Sequence, residues 1–243
     1  MDVQSTPHQG AQTRRIWRKR VANDEVERVS PRSAEVNEHL REQSRERILA
    51  AALAVFAEKG YHNATISEIT ARAGVSRGLI TYYFPGKQQL AHELLSRYLD
   101  GIAALTGVTG SPDQRLAAII DGTLTAVRES MPVQRMAISL MTHPSTRPAF
   151  AAVEQQRDAQ LRAIEDSLRE LFAARGAEDP ALEEITLRSV LEGVIFKATV
   201  YEDTFPLERM RRRLYAMYDL PVPRGPLVDD EPPPVGRLRA PGA

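Results

Sequence analysis

Cysteine is absent from all 243 residues. That excludes disulfides, a zinc finger, a thiol nucleophile and an iron–sulfur cluster. Long apolar runs are missing too. No stretch reaches the roughly eighteen apolar residues a membrane helix needs, so no membrane contact is expected. The N-terminus begins polar and lacks an apolar h-region, so it does not read as a secretory signal, and the cytoplasm is the expected compartment. No alternating apolar–polar pattern competes with helical spacing. There is no Gly-x-Ser-x-Gly, no phosphate-binding glycine loop and no dinucleotide fingerprint. The histidines His8, His39, His62, His92 and His143 are scattered, none with a second histidine three or four residues on. Catalysis therefore has little support, and no metal or cofactor is implied. Net charge is also lacking, since 32 basic residues balance 32 acidic ones. The apolar content of 42% is enough for a core.

The informative stretch runs from Thr65 to Leu90. Thr65 and Glu68 form a Thr-x-x-Glu capping box. Ile69 and Ala73 can face a core, and Gly74 follows where a left-handed residue ends a helix. Ser76 can cap a second, short helix, closed by Pro85-Gly86. Ile80 and Phe84 give that helix one buried side. Its other side carries Arg77, Gly78, Thr81 and Tyr82. Arg77 in the first turn opposes the helix dipole, and Gly78 costs roughly 0.5–1 kcal/mol relative to alanine. Both choices make sense where the first turn approaches a polyanion. This is how a helix-turn-helix presents a recognition helix to the DNA major groove. Taken alone, the turn could equally be plain helical packing.

The preceding helix, from about Arg41 to Lys59, places Ile48, Leu49, Ala52, Leu53, Val55 and Phe56 at helical spacing, and Gly60 ends it. Written out, the pattern is Arg47-Ile48-Leu49-x2-Ala52-x3-Phe56-x3-Gly60-Tyr61-x3-Thr65-x3-Ile69-x4-Gly74-Val75-Ser76-x3-Ile80-x-Tyr82-Tyr83-Phe84-x2-Lys87-x2-Leu90. It closely resembles the DNA-binding domain of the TetR family of transcriptional regulators, over about sixty residues. The resemblance implies phosphate contacts at Thr65 and Lys87. It implies base or backbone contacts at Arg77, Gly78, Thr81, Tyr82 and Tyr83, after the Ser76 cap. Two positions depart from the family pattern, which commonly has tyrosine at Thr81 and histidine at Tyr83, so an operator cannot be borrowed from a relative. Leu79 is either core rim, the preferred reading, or an apolar contact to a thymine methyl.

Residues 1–40 read as a disordered extension. Its cluster Arg14, Arg15, Arg18, Lys19, Arg20, with Trp17 inside, is either an arm reaching DNA or a solvated tail. Residues 41–105 form the helix-turn-helix domain, ending in a helix from Lys87 to about Leu105 with Leu90, Leu94, Tyr98 and Ile102 on one stripe. Residues 106–220 form a second helical domain. Helices are expected over Pro112–Glu129, Pro132–Thr142, a long Ala149–Ala174, Ala181–Thr204 and Pro206–Tyr218. Residues 221–243 read as a proline-rich disordered tail. The fold class is all-α.

Val194-Ile195-Phe196 covers more than one face of its helix, which calls for burial on several sides. The family resemblance implies a homodimer through 181–204 and 206–218. On the long helix, Val153, Arg157, Leu161, Ile164, Leu168 and Leu171 share one side, so Arg157 points where a core residue should. Glu192 and Lys197 interrupt the apolar run on the dimer helix. A buried charge must be paired or serve a ligand. Arg157 is thus paired internally, with Glu192 as the candidate, or snorkels to solvent, or is part of a small-effector pocket lined by Met136, Leu140, Phe150, Arg157 and Phe196.

The sequence reads as a DNA-binding regulator: a homodimeric repressor on a near-palindromic double-stranded DNA operator, released by a small-molecule effector. Two other classes stay open. One is an effector-independent nucleoid or coregulatory DNA binder. The other is a helical ligand carrier or enzyme with a structural helix-turn-helix.

Overall fold

In a computed structural model, the structure describes residues 31–223 and Gly225. The arginine cluster, Trp17 and most of the proline-rich tail lie outside the described residues. The described residues form ten α-helices and no strand. They are α1 (Pro31–Asn63), α2 (Ile66–Ala73), α3 (Arg77–Tyr83), α4 (Lys87–Thr106), α5 (Pro112–Glu129), α6 (Met131–Thr142), α7 (Arg147–Gln156), α8 (Asp158–Ala174), α9 (Pro180–Tyr201) and α10 (Leu207–Met217). No helix among them is long and apolar enough to cross a membrane.

Helix α1 begins at Pro31, ten residues ahead of the expected Arg41, so residues 31–40 are helical rather than part of a disordered extension. The chain divides into compact units after Arg47. Residues 36–47 carry spaced charges, such as Arg41 and Glu38 3.7 Å apart, with Val36 and Leu40 exposed between them. Gly60 breaks α1 with φ 72°, a conformation that a side chain would strain, and the helix resumes for one turn.

From Ile48 onward two apolar cores form. The first gathers Ile48, Phe56, Ile69, Ile80, Phe84, Leu90 and Leu95, and also takes Met136, Leu140 and Val153 from α6 and α7. The second packs Leu116, Ile120 and Leu124 of α5 against Leu168 and Leu171 of α8, Leu187 and Val194 of α9, and Leu214 of α10. Ile102 of α4 and Leu161 of α8 touch both. Helix α4 is therefore shared, and the first core runs past the expected boundary at residue 105.

One expected element is broken. The long helix over Ala149–Ala174 is two helices, α7 and α8, that meet at Arg157 (φ −107°, ψ 15°). The backbone bonds still carry across, from Arg157 N–H to Val153 O at 3.0 Å and from Leu161 N–H to Arg157 O at 2.9 Å. Apolar spacing continues through such a bend, so periodicity alone could not show it. Helix α9 ends at Tyr201, and Glu202 follows with φ 50° into a short 3-10 turn.

A buried polar cluster ties α10 to α5. The Arg211 guanidinium donates to both Asp121 oxygens, at 2.8 and 2.7 Å, and to Gly225 O at 2.7 Å. The Tyr215 hydroxyl donates to Asp121 at 2.9 Å. Burial first, and that bond second, pushes the Tyr215 hydroxyl up to about 12.

Candidate nucleic-acid interface and effector core

Two caps set the turn. The Thr65 hydroxyl accepts from Glu68 N–H at 3.2 Å, and the Thr65 N–H donates to the Glu68 carboxylate at 3.0 Å, closing the capping box. Gly74 is left-handed at φ 64°, and its N–H returns to Ala71 and Thr70 carbonyls. Ser76 then accepts from Leu79 N–H at 3.2 Å and starts α3. Two ion pairs fix α2 to the end of α1: Lys59 with Glu68, and Arg72 with Glu58 at 2.7 Å. The bond from Lys59, and then those from Thr65, hold the Glu68 carboxyl down to about 2.

The short helix α3 splits into two faces. Ile80 and Phe84 are 1% and 2% exposed in the first core. Ser76, Arg77, Gly78, Thr81 and Tyr82 are exposed, Tyr82 at 70%. Leu79 is half-buried, as expected of a rim residue. The half-buried Tyr83 ring stands edge-on to Tyr82, with centroids 5.0 Å apart, and props it outward. Thr65 is exposed at the start of α2.

Lys87 is placed differently from the other expected contacts. Its ammonium donates to the carbonyls of Tyr61 at 2.7 Å, His62 at 3.1 Å and Ala64 at 2.9 Å, and lies 4.5 Å from the Tyr61 ring centroid. A lysine has three protons, and all three are taken. They satisfy carbonyls that the end of α1 leaves without helical partners. Burial lowers the Lys87 pKa from its ordinary value. A phosphate contact at Lys87 would have to compete with these three bonds.

The expected effector residues do not all meet. Met136 and Leu140 are 1% exposed in the first core, and Phe150 packs against it partly buried. Phe196 is 49% exposed on α9 and lines no interior site. Arg157 does not point into an apolar core. Its guanidinium pairs with Asp100 of α4 and bonds Gln160 at 2.7 Å, because the bend at Arg157 turns the side chain toward α4. Glu192 is exposed and is not its partner, and Lys197 is exposed with its ammonium 5.2 Å from the Tyr201 ring centroid. The sequence reading missed a second tie to α4, His92 Nε2 to Gln156 Oε1 at 2.6 Å, at the end of α7.

Helix α9 also leaves a face uncovered. Leu182, Ile185 and Phe196 are 59%, 51% and 49% exposed, while Leu187, Leu191 and Val194 on the same helix are buried.

A capped two-helix turn with a polar outer face, on a helical body, defines a helix-turn-helix transcriptional regulator. Residues 48–94 match the bacterial regulatory proteins of the tetR family, and residues 112–219 match the BetI-type transcriptional repressor C-terminal domain. The chain belongs to the TetR family of transcriptional regulators, a class of DNA-binding proteins rather than enzymes. It is similar to the HTH-type transcriptional regulator BetI of Ectopseudomonas mendocina, 26% identical over 190 residues that cover 72% of this chain and 92% of that one. Two solved structures share the fold. A transcriptional regulator from Rhodococcus has a TM-score of 0.62 at 23% identity, covering 72% of this chain and 93% of its own. FadR from Bacillus subtilis, in complex with stearoyl-CoA, has a TM-score of 0.59 at 17% identity, covering 72% and 97%.

Proposed function

We propose that the protein is a cytoplasmic repressor that binds a near-palindromic operator as a homodimer and leaves it when a small molecule binds. Residues 41–105 serve DNA binding and residues 106–220 serve effector binding and dimerisation. The observation that carries the DNA reading is the division of α3, apolar inward at Ile80 and Phe84 and polar outward at Arg77, Gly78, Thr81 and Tyr82. The two-fold reading rests on the uncovered apolar face of α9, within the expected dimer segments 181–204 and 206–218. One recognition helix reads few base pairs, and a two-fold pair places a second α3 about one helical turn along the duplex.

The effector is mainly apolar. Met136, Leu140, Val153 and Phe150 supply apolar surface where α6 and α7 pack beside α4. The methionine can reshape around an irregular guest. A relative that holds stearoyl-CoA supports an effector with a large apolar part. Arg157 supplies no free charge to such a molecule. Release needs the effector to favour the conformation that does not bind DNA, by a few kcal/mol.

The test uses duplexes selected from a random pool by the full-length protein. Tyr82→Ala is expected to weaken binding to the selected duplex by about 1–3 kcal/mol with thermal unfolding unchanged. Undiminished affinity in the folded variant would refute the assignment of α3.

A further inference from the structure

The outer face of α3 contains a low spot that the protein's own packing does not require. Gly78 lies inside the helix, where glycine is unfavourable relative to alanine. A Cβ added there would meet only Ser76 Oγ, at 3.9 Å, so no neighbouring atom demands its absence. Its φ is not in the left-handed region, so no turn demands it either. One helical turn on lies Thr81, exposed and short. Its hydroxyl donates to Arg77 O at 3.0 Å. A threonine has one hydroxyl proton, and here it is spent on the helix backbone. The hydroxyl oxygen can still accept but no longer donate, and the methyl is the apolar part of this side chain left for a partner. Leu79, the other apolar candidate, is half-buried at the core rim. Arg77 and the 70%-exposed Tyr82 rise on either side of this small-residue floor.

We propose that Thr81 is a specificity-determining residue that reads the 5-methyl group of a thymine through its own methyl, with Gly78 leaving room for the base edge to approach. The thymine methyl is the one apolar feature a base pair offers in the major groove. The inference rests on the reading that α3 enters that groove.

The experiment takes a duplex selected by the full-length protein and replaces each thymine in turn by deoxyuridine, which removes only the methyl. One thymine in a half-site should respond, with affinity falling about three- to fivefold, the order expected for one methyl withdrawn from contact. Thr81→Val keeps a methyl and lacks the hydroxyl, and it should retain the uracil penalty. Thr81→Ser keeps the hydroxyl and lacks the methyl. It should bind the thymine duplex about three- to fivefold more weakly and no longer distinguish uracil. The proposal is overturned if no thymine responds, or if the serine variant keeps the penalty and the valine variant loses it. Tyr82→Ala separates the two readings: if it binds like the wild type, the placement of α3 fails; if it weakens binding and uracil has no effect, only the methyl contact fails.

Discussion

Helices α3 and α9 each leave one face without a partner among the described residues, and the two faces are opposite in chemistry. On α3 the open residues are Arg77, Gly78, Thr81 and Tyr82, short or polar, with Tyr82 the one large ring. On α9 they include Leu182, Ile185 and Phe196. A polar, low face with a raised ring suits a hydrogen-bonding groove that is itself hydrated. An apolar face of comparable exposure loses free energy in water at roughly 25 cal/mol per Å2 and recovers it only against another apolar surface. The contrast supports the proposed roles, α3 for nucleic acid and α9 for a second copy of the chain.

The largest expected effect comes from reversing the chemistry of α9. Ile185→Glu with Phe196→Glu should convert a dimer at micromolar concentration into a monomer, measured by sedimentation equilibrium. A two-fold interface repeats each substitution, and each buried apolar side chain contributes about 1.5–3 kcal/mol. Specific DNA binding should fall with it. A double variant that stays dimeric would remove the distinction between the two faces.

Lys87→Met is next. If the ammonium serves the end of α1, its loss leaves the carbonyls of Tyr61, His62 and Ala64 unpaired and should lower stability by about 1–3 kcal/mol. DNA affinity would then drop through a loosened turn, while the slope of log affinity against log salt stays near the wild-type value. If Lys87 contacts a phosphate, stability is kept and the slope falls by about one unit. Chemical denaturation and salt titration together separate the two.

These cases show which features the sequence displays. The capping box at Thr65, the left-handed Gly74 and the Ser76 cap are local devices, each complete within five residues, and all were legible. The buried pair Ile80 and Phe84 followed from spacing of four. Lys87 to residues 61–64, Arg157 to Asp100 and His92 to Gln156 span 23 to 64 positions. Nothing in local periodicity chooses such partners. Phe196 was misplaced for a related reason: spacing shows that α9 is apolar on several sides, but not which side its own chain covers.

Gly78→Ala should move two measurements in opposite directions. Alanine fits the helix and its open surroundings, so the fold should gain about 0.5–1 kcal/mol. The added methyl stands where a base edge would approach, so DNA affinity should fall. A gain in stability with unchanged affinity would mean the open spot on α3 faces solvent even in the complex.

The smallest effect belongs to Arg157→Met, and it decides how the body of the protein reaches α4. The Asp100 partner is 53% exposed at the side chain and Arg157 itself 28% exposed. An ion pair that open contributes about 0–1 kcal/mol. A buried pair with Glu192 would instead have made the loss about 3–5 kcal/mol, because removing the arginine strands the glutamate. The Asp100 carboxyl is held below its ordinary pKa by the Gln160 bond first and by Arg157 as well. A carboxyl lowered on folding adds stability above its unfolded pKa near 4 and loses it as pH falls through the folded value. The Arg157→Met variant should therefore match the wild type most closely in acid, below that window, and differ from it at neutral pH. Urea denaturation at pH 3 and pH 7 would show this. A large loss at both values would mean that the bend between α7 and α8 depends on the arginine for more than its tie to α4.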